Sequence, residues 1–378
     1  MVRLVHTADV HLGGGSAVFG HRADAHQRLI REAFARVIDL AIARQADALL
    51  IAGDLFDRRL PTQRGIGFAV VQLQRLLAAR PEAHVFVLPG THDCVSEGGF
   101  WHSGSLQGIS ANVHCFAGPG VECIELPALG LAVHGRGQQC HEDRHEPLGD
   151  MKPREGLLNV ALAHGSVLIP EVTDSDSSLI KLETIQSSGM NYIALGHWHS
   201  PYGAATGAVT AWYSGSPEIL SIGQPAAGYA LAVELEAGAP ARVEQVKTGV
   251  LGVRREGFDA AELAGEEDLA SRVGALAGEH TIMDVTLSGI APPGFAVDIE
   301  HLMEELEKSF FRLGIKDKSQ LPVDITGLAE EQIAGRFVAL MRERLAGTQA
   351  AGDERGTRVV ERALQLGVAL LDGKKVLS

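Results

Sequence analysis

The chain has no apolar run near the roughly 20 residues that a membrane-crossing helix needs, and its start, MVRLVHTADVHLGGG, lacks a secretory-leader pattern. Both absences point to a cytoplasmic protein with no membrane contact. Cysteine is scarce: Cys94, Cys115, Cys123 and Cys140 form no C-x-x-C pair, which argues against a disulfide framework or a zinc knuckle. An excess of basic residues is missing as well. The formal net charge of −14 argues against broad coating of nucleic acid by a basic surface. It leaves room for chemistry on phosphate, because bound divalent ions or a protein partner can supply positive charge locally. No internal repeat and no long low-complexity segment occurs.

What is present is an ordinary globular mix, 46% apolar and 21% charged, over a length of 378 residues that suits two domains. LVHTA reads as a short strand ending near Asp9. Arg22 to Arg44 carries Leu29, Ile30, Phe34, Val37, Ile38 and Ala41 at helical spacing. Buried strands follow at Ala48–Gly53 and His84–Gly90, with a second helix from Arg64 to Ala79 between them. LLNVALAHG, a helix near Leu179–Ser187, YIALGHWH, and strands at Ala211–Ser214 and Tyr229–Glu234 repeat the alternation. Such alternation predicts an α/β core. After about Lys247 a smaller α/β module is expected: strands at LGVRREGF and TIMDVTLSGIAP, a helix in EEDLASRVGALA and another near Ile299–Leu313. LPVDITGL comes next, then two amphipathic helices, one with Ile333, Phe337, Met341 and Leu345 on its face, the other with Val360, Ala363, Leu364, Val368 and Leu371. AGTQAAGDERG reads as the loop between them.

The polar residues fall in a telling place. Asp9, Asp54, His92, His164 and His197 each lie at or just past the end of an apolar strand, where loops of layered α/β folds gather ligands. Four motifs result: D-x-H at Asp9–His11, G-D-x-x-D at Gly53–Asp57, G-T-H-D at Gly90–Asp93, and the late histidines His164, His197 and His199. Mixed imidazole and carboxylate donors suit divalent transition ions. Two such ions about 3.5–4 Å apart can clamp a phosphate and generate a hydroxide for in-line attack. Taken singly, each residue has a plainer reading: Asp9 as a strand end, Asp54 as a cap, His164 as a core histidine. Their order along the chain favours the metal reading.

On these motifs the sequence resembles the calcineurin-like metallophosphoesterases, and within them the SbcD-type DNA repair exonucleases with their YhaO-like group. HLG after the first strand, Arg22 and Asp24, GDLFD, and YSGSPE at Tyr213–Glu218 carry the nuclease likeness, which is good over residues 1–235. The resemblance implies a four-layer α-β-β-α sandwich over residues 1–247 and a smaller α/β plus helical module over 248–378, with capping and partner-binding roles. It implies two divalent ions, manganese by analogy. Asp9, His11, Asp54 and His199 would hold one; Asp54, His164, His197 and position 91 would hold the other. His92 would protonate or stabilise the leaving oxygen, oriented by Asp93. The chain departs from the pattern at Thr91, where the family has Asn, whose amide oxygen is a better ligand than a shorter hydroxyl.

The implied activity is hydrolysis of DNA phosphodiesters by a hydroxide bridging the two metals. The implied partners are DNA, an SbcC-like coiled-coil ATPase docked on the late helices, and a second copy of the chain. Two alternatives stand beside this: a phosphatase or cyclic-nucleotide phosphodiesterase acting on small substrates, which the acidic charge favours mildly, and a non-catalytic scaffold for the ATPase, which only Thr91 supports. Asp57 is expected to bond backbone amides in its loop, and Trp198 to pack and fix the loop of His197 and His199. Trp101 and His102 are candidates to border the substrate groove.

Overall fold

The computed structural model describes every residue except 15, 169–177, 206, 293–294, 321–331, 372 and 374–378. The LPVDITGL stretch therefore lies outside the described residues. Two compact units form, Met1–Leu251 and Gly252–Ser378. Among the described residues no helix is long and apolar enough to cross a membrane, and all four cysteines are free thiols.

The first unit opens with β1 (Val2–Thr7), α1 (Ala23–Ala43), β2 (Ala48–Ala52), α2 (Gln63–Ala79), β3 (His84–Leu88) and β4 (Val113–Cys115). It continues with β5 (Glu122–Leu126), β6 (Leu131–Gly135), β7 (Leu158–His164), β8 (Ser166–Val167), β9 (Leu179–Ile180), α3 (Leu182–Ser187) and β10 (Tyr192–Gly196). The last strands are β11 (Tyr202–Ala205), β12 (Thr210–Tyr213), β13 (Tyr229–Leu235) and β14 (Arg242–Lys247). They build two six-stranded sheets, ordered β14-β13-β1-β2-β3-β4 and β11-β12-β10-β7-β6-β5. The period of two along β2 shows why they stack. Leu49 and Ile51 face a core with Phe34 and Val37 of α1 and Leu73 of α2. Ala48, Leu50 and Ala52 face a second core shared with Val160 and Leu162 of the other sheet. A third core, with Ala161, Ile193 and Ile185, covers that sheet's outer face. The layers are helix, sheet, sheet, helix, as expected of a strand that is apolar on both faces.

The second unit holds a parallel three-stranded sheet of β15 (Gly252–Asp259), β16 (Gly278–Ser288) and β17 (Phe310–Asp317), with α4 (Glu266–Gly274) and α5 (Ile299–Leu306) packed on it. Two helices, α6 (Ile333–Ala350) and α7 (Glu354–Leu371), follow.

Several expectations need correction. The helix placed over Leu179–Ser187 begins with strand β9, and only Leu182–Ser187 is helical. The helix near Ile299–Leu313 stops at Leu306, because Phe310 and Leu313 pack into the sheet as strand β17. In α6 Val338 is buried and the expected Phe337 and Met341 pack against its cluster, whereas Ile333 is 77% exposed; in α7 Leu364, Val368 and Ala369 are buried and Leu371 is exposed. The expected loop between these helices shrinks to Ala351–Asp353. The strands β4, β5, β6, β11 and β14 carry no clear signal in the sequence, being short or partly polar.

His6 of β1 bridges the two sheets, its Nδ1 2.9 Å from the hydroxyl of Tyr192 in β10. Burial, opposed weakly by a bond with the Leu195 backbone, pushes its pKa from 6.5 down to about 3. Between those values the unfolded chain takes up a proton that the native chain refuses, so stability falls as pH falls. The share of His6 is about 2 kcal/mol lost by pH 5. In thermal unfolding at pH 7 and pH 5, wild type should lose about 2 kcal/mol relative to His6→Gln, since the raised pKa values of Asp93 and His164 act with the opposite sign in both proteins. An equal change in the two proteins would contradict the assignment.

Candidate metal centre

The chain turns sharply where the parallel strands end, and most of its unusual backbone sits there. Among the described residues five non-glycines have positive φ, and four of them are Asp9 (52°), His11 (52°), Asp54 (51°) and His197 (104°). Such conformations cost on the order of 1–3 kcal/mol each and persist only where surrounding bonds dictate them. Here the bonds are visible. Asp9 N–H donates to Gly53 O and His11 N–H to Asp54 O, both at 3.0 Å. His197 N–H reaches both Asp9 carboxylate oxygens, at 3.1 and 3.0 Å, and His92 N–H reaches Asp54 Oδ1 at 2.8 Å. Two motif glycines are fixed by close approach. A Cβ on Gly53 would stand 2.0 Å from His164 Nδ1, and one on Gly90 would stand 2.3 Å from Asp54 Oδ1.

The side chains converge on Asp54. Its Oδ2 lies 3.7 Å from His11 Nε2, 3.4 Å from His164 Nε2 and 3.3 Å from the Thr91 hydroxyl. That hydroxyl is also 3.5 Å from His164 Nε2. His199 Nε2 stands 3.9 Å from Asp9 Oδ1, and the ring of His197 lies 5.3 Å from that of His164. Two of the resulting triads, Asp9–His11–His199 and Asp9–Asp54–His164, each keep their donor atoms within 4.8 Å of one another.

The other ring nitrogens set the tautomers. His164 Nδ1 donates to Ala52 O at 3.0 Å, and His199 Nδ1 donates to Gln224 Oε1 at 2.6 Å. His11 Nδ1 pairs with Asp57 Oδ1 at 3.1 Å. All three therefore turn Nε2 toward carboxylate oxygens. Two lone pairs facing each other in a buried site repel unless a cation lies between them. Among the described residues, buried His11 Nε2 finds no hydrogen-bond partner. With no ion, a proton takes the cation's place. Burial resists protonation of His164, yet the Asp54 charge and hydrogen bond raise its pKa to about 9. His11 is raised too, against burial, by Asp57, Asp54 and Asp9. Burial would raise Asp54, but His164, His11 and His92 hold it far below the usual carboxylate range. His199 is pulled down, chiefly by burial. An imidazole and carboxylate set of this kind fits divalent transition ions.

Asp93 takes a different part from the one expected. Its carboxylate accepts N–H from Gly90 (2.7 Å) and Phe56 (3.0 Å), and burial followed by the Asp54 charge raises its pKa to about 7. It braces the loop rather than orienting His92, because the turn after His92 sends Asp93 inward. The residue beside His92 is Asp57, whose carbonyl lies 3.3 Å from His92 Nδ1 and whose carboxylate lies 3.8 Å away. Asp57 thus touches His11 and His92 together, instead of serving backbone amides alone. Trp101 is buried and donates its indole N–H to Asp93 O, so it fixes the loop and does not line a groove. Trp198 stacks on Tyr213 at 4.6 Å and donates to Ser166 Oγ, as a packing residue would. Tyr213 in turn donates to Gly165 O at 2.7 Å and accepts from Val167 N–H at 2.8 Å, tying the His164 loop to the same cluster.

The family pattern described as calcineurin-like phosphoesterase matches residues 2–201, more than half of the chain. The chain belongs to the calcineurin-like phosphoesterase family. It is 31% identical over 216 residues to the DNA double-strand break repair protein Mre11 of Aeropyrum pernix, covering 53% of this chain and 50% of that protein. To the SbcD component of the nuclease SbcCD of Staphylococcus epidermidis it is 25% identical over 239 residues, 57% of this chain and 61% of that component. The uncharacterized metallophosphoesterase YhaO of Bacillus subtilis matches at 27% over 203 residues, 52% of this chain and 48% of YhaO. The chain spans about half the length of the curated relatives it matches.

Within this phosphoesterase the outer partner of His11 is the feature most open to test. An outer carboxylate that holds a ligating histidine is worth 10–100-fold in metal affinity. Calorimetric titration of Asp57→Asn with manganese should show a loss of about that size. Wild-type affinity in the variant would contradict the role.

Proposed function

We propose that this phosphoesterase is a metal-dependent DNA nuclease, the exonuclease component of a DNA repair complex. The observation that carries the chemistry is Asp54, set between the Nε2 atoms of His11 and His164, with the exposed ring of His92 within 4.8 Å. The substrate class rests on the relatives' names, which speak of double-strand break repair and of a nuclease. Asp9, His11, Asp54 and His199 would hold one ion, and Asp54, His164, His197 and Thr91 the second. When bound, the ions, manganese in this reading, supply the positive charge that holds the phosphate and activates a water. The remaining steps belong to the chain. Asp9 and Asp54 keep the donor atoms in register through their bonds to His197 and His92. His92, its side chain 46% exposed, turns Nδ1 to the Asp57 carbonyl, which leaves Nε2 to hand a proton to the leaving oxygen. Unlike Asp93, it reaches the space where substrate enters.

In this reading the residues from Gly252 onward bind a coiled-coil ATPase, and two copies of the chain pair. Thr91 does not argue for an inert scaffold, since its hydroxyl reaches both Asp54 and His164.

A DNA oligomer, bis-para-nitrophenyl phosphate and a phosphomonoester, each offered with manganese, test the reading. Release of nucleotides from DNA and cleavage of the diester are expected, with the monoester inert. Monoester hydrolysis with intact DNA would favour the small-substrate phosphatase instead. His92→Gln should cut kcat by about 10²–10⁴-fold with little change in metal affinity; full activity would refute its role as the acid. Thr91→Asn should tighten the weaker of two manganese sites in a calorimetric titration. Two equally tight sites in the wild type would contradict the weak-ligand view of Thr91.

A further inference from the structure

Glu218 is a carboxylate that none of the chemistry above uses. It closes the YSGSPE motif and is fully buried, a costly place for such a group unless its oxygens are bonded. They are. Oε1 accepts N–H from Ile219 (2.9 Å) and Leu251 (3.2 Å), and Oε2 accepts from Val250 (2.8 Å). Arg36 Nη2 lies 3.9 Å from Oε2. Thr248 adds a hydroxyl bond to Pro217 O at 2.8 Å, and Gly249 N–H donates to Gly228 O at 3.0 Å. The fit at Gly249 is tight: a Cβ there would stand 2.7 Å from Glu218 Oε1. The segment Thr248–Leu251, by which the chain leaves the phosphoesterase unit, is therefore fastened to the loop over residues 214–228.

The same loop holds His199 on its other flank. Gln224 Oε1 accepts from His199 Nδ1 at 2.6 Å, and Ser216 N–H donates to His199 O at 3.0 Å. Ser216 Oγ also donates to the carbonyl of Glu218 at 2.7 Å, joining the two flanks. One short loop thus grips a metal-site histidine and the exit segment together.

We propose that Glu218 and this loop couple the seating of Thr248–Leu251 to metal occupancy at His199, so that each stabilises the other. The inference rests on the metal-centre reading above. An ion on His199 Nε2 restrains the ring, Gln224 passes that restraint to the loop, and Glu218 passes it to the Val250 and Leu251 amides. Coupling of this kind is reciprocal: whatever factor the ion adds to seating, loss of seating removes from ion affinity.

Hydrogen exchange followed by mass spectrometry on the full chain, with and without manganese chloride, tests this, while calorimetry reports ion binding on the same samples. Saturating manganese should slow exchange in the peptide over residues 248–251 by about fivefold or more. Gln224→Ala, which removes the loop's bond to the His199 ring but keeps Glu218 and the Ser216 bond to the His199 carbonyl, should abolish that slowing while an ion still binds. Glu218→Gln, which sets an amide N–H against backbone donors, should weaken manganese affinity by the same factor. If ions bind and the peptide does not respond, or if it responds equally in Gln224→Ala, the coupling is refuted. If calorimetry finds no ion bound to the wild type, the metal-centre reading itself falls and the coupling falls with it.

Discussion

Carboxylate oxygens packed against imidazole lone pairs in a buried site cannot stay there without positive charge between them. That requirement organises the phosphoesterase unit. Asp54 meets His11 and His164 through their Nε2 atoms, and Asp9 meets His199 in the same way. Each of these histidines has its other nitrogen committed to Ala52, Asp57 or Gln224. The rings cannot turn away to relieve the repulsion. A proton can fill the gap, as the raised pKa values of His164 and His11 show, and a divalent ion fills it better because it accepts several donors together.

The rest of the fold reads as the apparatus that holds this arrangement. Parallel strands from two stacked sheets end at one edge, and the turns beyond them adopt positive φ at Asp9, His11, Asp54 and His197. Buried strands such as β2 and β10 have no freedom to slide, because a shift by one residue would exchange the two cores they face. Local strain at the site is thus opposed by a large apolar interior. Asp93, Trp101 and Tyr213 brace the loops from behind, and Glu218 extends the bracing to the segment that leaves the unit.

Much of the site was legible in the sequence because strand ends are. Each ligand candidate follows a short apolar run and a glycine or a sharp turn, and both signals are local. Asp9, His11, Asp54, His164 and His199 lie together, Thr91 stands against Asp54 and His164, the ring of His197 lies beside that of His164, and His92 sits at the rim. The supporting residues were harder to read. Gln224 and Tyr213 carry no ligand signature, and their partners lie 25 and 48 residues away in the chain. The family resemblance implies Asp93 as the partner of His92, while the tight turn points it at Gly90 and Phe56 instead. Asp57 poses the reverse problem, since nothing local in GDLFD reveals that its carboxylate touches two histidines. In the second unit, Phe310–Leu313 satisfies a helical period and a strand period equally well, and only the neighbouring strand β16 decides between them.

In the proposed function, two cations belong on either side of Asp54. Diffraction from crystals grown with manganese, recorded near the manganese absorption edge, tests it directly. Two anomalous peaks about 3.5–4 Å apart are expected, one contacting Asp9, His11, Asp54 and His199 and the other contacting Asp54, His164 and His197. No peak beside Asp54, or peaks held by other residues, would contradict it.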